Sequence, residues 1–298
     1  MKITFISFIA FFLFTTGLPA QGASPYQGTL YDAHAHLSGR SNMKRTIKDF
    51  REAGFERVAL FTKHRGTASL KKAGGNMFLF FVDPFKRQTS KDKSGKKTSR
   101  YIFKDKWLSQ ITSSLINGEV AGFGEIYFRL GWAPFAENGI RTDITSNGAK
   151  KLLGIAKRFN VPVQIHLDSE HADILEDLLT SNPEIQFVLA HCGFFKPNDL
   201  GKLMDKHANL NAEVSLIFNP FISKFANLPL NGSELKDDWR DFLTRHAGRL
   251  MIGTDYTADR SEQLPKLASY YRKVLGLLPK DVADKIAHGT FEKLFYRN

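Results

Sequence analysis

Eight short apolar runs, rich in β-branched and aromatic residues, recur along nearly the whole chain with amphipathic stretches between them. The runs lie near Thr29–Ala33, Arg57–Phe61, Met77–Val82, Glu119–Gly124, Val161–Ile165, Ile185–Ala190, Leu210–Leu216 and Leu250–Thr254. Between them, Met43–Ala53, Gly148–Phe159, Ala172–Leu179 and Leu235–His246 carry apolar residues at three- and four-residue spacing, the period of a helix with one buried face. Strands that alternate with helices run parallel and are joined by right-handed crossovers. Eight such units in about 275 residues have the size of a (β/α)8 TIM barrel. An open doubly wound sheet satisfies the same alternation, but no Gly-rich phosphate fingerprint follows the first strand, which weakens its dinucleotide-binding form.

Composition narrows the class further. With 42% hydrophobic and 24% charged residues, the chain has the proportions of a folded domain, so intrinsic disorder is excluded. Cys192 is the single cysteine, so no internal disulfide forms and a disulfide-stapled scaffold is excluded. The net charge of +12 favours anionic partners. Much of it is local: Lys86 to Lys106 holds nine Lys or Arg against two Asp. The core of that stretch, residues 86–100, is rich in Ser, Thr, Lys and Gly and reads as a mobile surface loop overhanging the barrel mouth. Nucleic acid is a candidate partner for it, ranked below a small-molecule substrate because residues 86–100 lack the interleaved aromatics on which single-stranded bases stack.

At the N-terminus, Met1-Lys2 is a minimal basic region, and an apolar run broken by a few Ser, Thr and Gly extends to Leu18. Ala20 and Ala23 follow as cleavage-site residues. This order is that of a secretory signal peptide over residues 1–23, leaving 24–298 as one folded domain in the periplasm or secreted. An uncleaved anchor is the alternative, although the run is about two residues short of a spanning helix.

Polar residues gather at the ends of the predicted strands. Asp32-Ala-His34-Ala-His36 closes the first. In an extended chain residues two apart face the same way, so His34 and His36 can share one metal ion, and imidazole suits zinc and other first-row divalent metals. Gly122-Phe-Gly-Glu125 follows the fourth strand, His166 the fifth, His191-Cys-Gly the sixth and Gly253-Thr-Asp255 the eighth. Each is unremarkable alone; a histidine at a strand end is often solvated, and Glu125 could be a helix-initiating acid. Together they place four His and two acids at the carboxyl ends of five strands, the face where barrel active sites form. Lys63 after the second strand and Arg129 after the fourth are candidates to hold a substrate carboxylate or phosphate, with solvated loop charge as the alternative.

From Tyr31 to about Phe295 this ordered set resembles the metal-dependent amidohydrolase superfamily, in its broad amidohydrolase-related branch. The resemblance implies metal binding by His34, His36, His166 and Asp255. His191 becomes a second-site ligand or a substrate-polarising group. Where many members have a carboxylated lysine, this chain has Glu125, similar to the TatD-type deoxyribonucleases, and Glu125 would bridge two ions if two bind. Yet Tyr127-Phe-Arg follows Ile126 in place of that group's usual Gly-Leu-Asp, and Thr290 replaces the asparagine usual in the closing helix. The implied cofactor is one or two divalent ions, zinc foremost, with manganese or magnesium as alternatives. The implied activity is hydrolysis by metal-activated water, with Asp255 carrying the proton and His191 assisting. The expected substrate is a small-molecule amide, cyclic amide, lactone or ester. A metal-dependent phosphodiesterase or deoxyribonuclease and a non-hydrolytic decarboxylase are the alternatives.

Overall fold

The alternation of apolar runs with helices is realised as a ring of parallel strands. The computed structural model describes residues 24–37, 42–63, 67–91, 97–103, 105–129, 146–221 and 227–296, of which 85–103 and 128–129 are described by their backbone alone. The predicted signal peptide, residues 1–23, lies outside the described residues. Among those described, no helix is long and apolar enough to cross a membrane.

The strands are β1 (Leu30–His36), β2 (Phe55–Lys63), β3 (Phe78–Asp83), β4 (Phe85–Lys91), β5 (Lys97–Phe103), β6 (Gly122–Arg129), β7 (Val163–Leu167), β8 (Phe187–Leu189), β9 (Leu210–Glu213), β10 (Leu230–Asn231), β11 (Glu234–Leu235) and β12 (Leu250–Met251). Eight of them form one sheet in the order β1-β2-β3-β6-β7-β8-β9-β12, every neighbour parallel. The segment after β12 returns to β1. Ala33 N donates to Ile252 O at 2.9 Å, His36 N to Tyr256 O at 2.8 Å, and Ala35 bridges Tyr256 in parallel. The sheet therefore closes into a (β/α)8 barrel, and each of the eight predicted runs overlaps one of its strands.

Helices α1 (Met43–Glu52), α2 (Thr67–Gly74), α3 (Asp105–Ile116), α4 (Asn147–Phe159), α5 (Ala172–Ser181), α6 (Pro197–Lys206), α7 (Asp237–Arg245) and α8 (Leu264–Leu275) fill the crossovers, and α9 (Lys280–Asp284) and α10 (Thr290–Phe295) close the chain. Caps set some of these ends. Asn42 accepts from Arg45 N at 2.8 Å at the start of α1, and Ser146 accepts from Ala149 N at 3.2 Å at the start of α4. Each cap satisfies an amide that the first turn leaves without a partner.

Period-two alternation divides the apolar residues between two layers. Along β2 and β3, Val58, Leu60, Phe78, Phe80 and Val82 face the helices, whereas Ala59, Phe61 and Phe81 fill the barrel with Ala33, Val188 and Met251. Helix α10 adds Phe291 and Phe295 to this inner cluster, and Phe295 lies edge-on to Phe81 at 4.9 Å. Thr290, at the unusual position in the closing helix, is buried and donates its hydroxyl to Ala247 O at 2.9 Å.

The basic segment 86–100 differs from its expected form. Strands β4 and β5 pair antiparallel from Phe85↔Phe103 to Lys91↔Lys97, so the backbone there is a two-stranded ribbon and not an irregular loop; residues 92–96 lie outside the described residues. Its polar composition conceals strand character, yet Thr89, Thr98, Tyr101, Ile102 and Phe103 are β-formers. Local antiparallel pairing satisfies backbone groups whatever the side chains are.

Candidate metal centre

Two irregularities in the strands turn the key side chains toward the barrel mouth. The register of β1 against β2 shifts between Asp32 and Ala35. Ala33 packs in the inner cluster, yet His34, the next residue, also points inward to meet Glu125. The register of β6 against β7 shifts in the same way between Phe123 and Ile126, and there Glu125 turns inward. Such bulges re-aim a side chain without ending the strand. His166 needs none, because regular alternation along β7 leaves Val163 and Ile165 against the helices and His166 inside. His191 is aimed by another device. His191, Cys192, Gly193 and Phe194 all have φ between 51° and 57°, a left-handed turn directly after β8. At Gly193 a Cβ would come within 2.8 Å of Leu167 O, so glycine is required there for space as well as for backbone conformation.

Glu125 stands between two groups of donors. Its Oε2 lies 3.5 Å from both His34 Nε2 and His36 Nε2, and Tyr127 donates its hydroxyl to the same oxygen at 2.6 Å. Its Oε1 lies 2.6 Å from His166 Nδ1 and 3.4 Å from His191 Nε2. Asp255 completes the first group, with Oδ1 at 3.1 Å from His36 Nε2 and 3.6 Å from His34 Nε2. Two sets of ligand atoms lie within 4.8 Å of one another: His34, His36 and Asp255, and His34, Glu125 and His191. His166 belongs to neither set and joins the centre through its contact with Glu125. Lys63, at the carboxyl end of β2, is exposed and lies 3.9 Å from Asp83 at the end of β3. The side chain of Arg129 is outside the described residues, as are the neighbouring His64 and Arg65.

The charges are strongly coupled. Burial would raise the carboxyl of Glu125, but the imidazoles of His34 and His166 and the hydrogen bonds from His166 and His191 hold it well below the usual range. Asp255 is likewise held down, against its burial, by the hydrogen bond from His36 and by the facing imidazoles. Burial would lower the histidines, but Glu125 and Glu213 hold His34 well above its ordinary value, and Glu125 with Asp168 brings His166 up to about 9. Anionic carboxylates thus surround ring nitrogens that face one another; His34 Nε2 and His36 Nε2 are 3.0 Å apart. A cation between these nitrogens and oxygens would take the place of the protons, and this mixed N,O donor set suits zinc.

Three further participants lie outside the strand-end motifs of the sequence. Glu213 is fully buried at the end of β9, where its Oε1 accepts from His34 Nδ1 at 2.8 Å. Ser215, two residues on, is also fully buried and lies 2.7 Å from His191 Nδ1. Arg260 donates Nη2 to Asp255 Oδ2 at 3.2 Å and Nε to Thr257 Oγ1 at 3.0 Å, which holds the far side of that carboxylate. A signal for Glu213 existed, since it is an acid inside the apolar run Leu210–Leu216. Asp32 stands beside the His pair in the motif that closes the first strand. It is buried and accepts from His34 N at 2.9 Å and Thr254 N at 3.0 Å, and burial pushes its carboxyl up to about 7.

Sequence comparison decides the family. The amidohydrolase family matches residues 119–297, more than half of the chain. The chain belongs to the amidohydrolase family. It is therefore an enzyme of the amidohydrolase superfamily, whose members use divalent metals. No curated protein matches this amidohydrolase in sequence. Solved structures share its fold at low identity. A protein of Agrobacterium tumefaciens in apo form is 14% identical with TM-score 0.60, covering 92% of this chain and 98% of its own. A probable 2-pyrone-4,6-dicarboxylic acid hydrolase of Acinetobacter baumannii with citric acid bound is 13% identical with TM-score 0.57, covering 91% and 100%. An amidohydrolase of Burkholderia multivorans with bound zinc is 11% identical with TM-score 0.58, again covering 91% and 100%.

Proposed function

We propose that this amidohydrolase is an exported hydrolase that cleaves a lactone, ester, amide or cyclic amide bond of a small, anionic molecule with two divalent ions, zinc foremost. The carrying observation is the position of Glu125, with one oxygen toward His34, His36 and Asp255 and the other toward His166 and His191. On this reading His34, His36 and Asp255 would hold one ion, His166 and His191 would hold the other, and Glu125, set between the two groups, would serve both. A bound divalent ion would lower the pKa of its water to about 7 and polarise the electrophilic oxygen. The chain's own residues do the rest. Asp255 lies at the mouth with Oδ2 held by Arg260, placed to take the proton of the attacking water and return it to the leaving group. Tyr127 stacks on His166 with ring centroids 5.1 Å apart and donates to Glu125, which fixes that carboxylate.

The preference for an anionic substrate rests on the net charge of +12 and on the likeness to a probable pyrone dicarboxylic acid hydrolase, a name that describes a cyclic ester bearing two acids. Export rests on the apolar run that follows Lys2 and on the small residues at Ala20 and Ala23. The test is elemental analysis of the purified mature protein, followed by a panel of lactones, esters, amides and phosphodiesters. Bound zinc with turnover confined to the carbonyl substrates is the expected result. A protein that binds no divalent ion would refute the metal reading, and turnover of phosphodiesters alone would replace the hydrolase with a nuclease.

A further inference from the structure

We propose that Glu213 and Ser215 form a hydrogen-bond relay that sets the tautomers of His34 and His191 together, so that one buried carboxylate prepares both halves of the metal centre. This inference rests on the metal reading above, but the relay itself lies in the chain's own atoms. Glu213 Oε1 gathers three bonds, from His34 Nδ1 at 2.8 Å, His191 N at 2.8 Å and Ser215 Oγ at 2.9 Å. Glu213 Oε2 accepts from Ser215 N at 2.7 Å. An ionised carboxylate only accepts, so His34 must carry its proton on Nδ1. In the neutral ring that leaves the lone pair of His34 on Nε2, the atom that faces Glu125, His36 and Asp255.

The second histidine follows by elimination. The hydroxyl of Ser215 has one proton, and Glu213 Oε1 takes it. The contact between Ser215 Oγ and His191 Nδ1, at 2.7 Å, can then form only if His191 donates. His191 therefore carries a proton on Nδ1 as well, and in the neutral ring its Nε2, which faces Glu125, is left with the lone pair. The direct distance from His191 Nδ1 to Glu213 Oε1 is 3.7 Å, too long for a hydrogen bond, so the serine hydroxyl is a necessary link. The same carboxylate oxygen accepts from the amide of His191, which ties down the first residue of the left-handed turn. The surrounding chain makes room for this carboxylate. A Cβ on Gly253 would overlap the carboxylate of Glu213, so the glycine of Gly253-Thr-Asp255 serves the relay. Partners that fix the far nitrogen of a metal-binding histidine typically change metal affinity by about 10–100-fold.

Long-range proton–nitrogen correlation spectra of histidine-labelled, metal-free protein, recorded at a pH where the rings are neutral, read each tautomer directly. The wild type should show His34 and His191 protonated on Nδ1. Ser215→Ala should convert His191 to a mixture of tautomers and leave His34 unchanged. Glu213→Gln should disturb His34 as well. A serine that only fills space would move neither ring selectively. If His191 in Ser215→Ala remains wholly in the Nδ1-protonated form, the relay is wrong. Zinc competition with a chromophoric chelator supplies a second readout. Ser215→Ala should weaken the ion held by His191 by about 10–100-fold while the other ion keeps its affinity within about threefold. Equal affinity of both ions in variant and wild type would also overturn the relay. A wild type that binds no zinc would instead defeat the metal reading, and the tautomer spectra would still decide the relay.

Discussion

Asp32 ties the last strand segment to the first, and its replacement separates the worth of its hydrogen bonds from that of its charge. In Asp32→Ala the amide of His34 loses its acceptor at 2.9 Å inside the protein. The amide of Thr254 loses one at 3.0 Å but keeps His34 O at 3.2 Å. The hydroxyl of Thr254 also loses its bond to Asp32 Oδ2, with His34 O at 3.4 Å as a poor substitute. One buried amide left without a partner costs about 1–3 kcal/mol, and the weakened second and third bonds add about 1 kcal/mol. The expected loss is thus about 2–4 kcal/mol, or roughly 3–7 °C in Tm for a domain of this size. Asp32→Asn has the same shape. Its Oδ1 can still accept from both amides, and its amide group can donate to the Thr254 hydroxyl in place of accepting from it. The expected loss for Asn is therefore below about 1 kcal/mol. Urea denaturation of the metal-free variants followed by circular dichroism measures both. If Asn destabilises as much as Ala, the bonds described here do not account for the role of Asp32 and the buried charge does.

Asp255→Asn should retain the fold and most of the metal, yet lower kcat by about 10²–10⁴-fold, because the amide no longer accepts the proton; turnover within about threefold of wild type would remove that role. N-terminal sequencing of natively expressed protein should find a mature chain beginning near Gln21 or Ser24, and an intact Met1 on a cytoplasmic protein would contradict the signal peptide. Burial lowers the imidazole of His246, assisted by Arg249 and Arg245 and opposed by Asp205, and Arg249 donates to its Nδ1 at 3.3 Å. The unfolded chain therefore binds the extra proton more readily as pH falls below about 6.5, so this residue contributes stability above that pH that is lost on acidification. Urea denaturation between about pH 7.5 and pH 5.5 should show a smaller loss in His246→Gln than in the wild type, and an equal loss would refute the assignment.

The architecture was legible in the chain because burial on both faces makes parallel strands into continuous apolar runs, and that pattern survives without any knowledge of contacts. Residues such as Val58, Phe80 and Ile165 declare their strands by composition alone. The candidate ligands were legible for a related reason: His34, His36, Glu125, His166, His191 and Asp255 are polar groups set directly after apolar runs, where a barrel opens its mouth. The ribbon formed by β4 and β5 was not, because its polar side chains carry no burial signal. Nor was the aim of the ligands. Alternation alone would place Ala33 and His34 on opposite sides of β1; the bulges in β1 and β6 put His34 and Glu125 inside, and bulges are set by strands pairing with neighbours far away in sequence. Glu213 is the clearest case. As a letter it is an acid in a strand, and only closure of the barrel brings it against residues 179 positions away, where a buried carboxylate is stable because His34, His191 and Ser215 all donate to it.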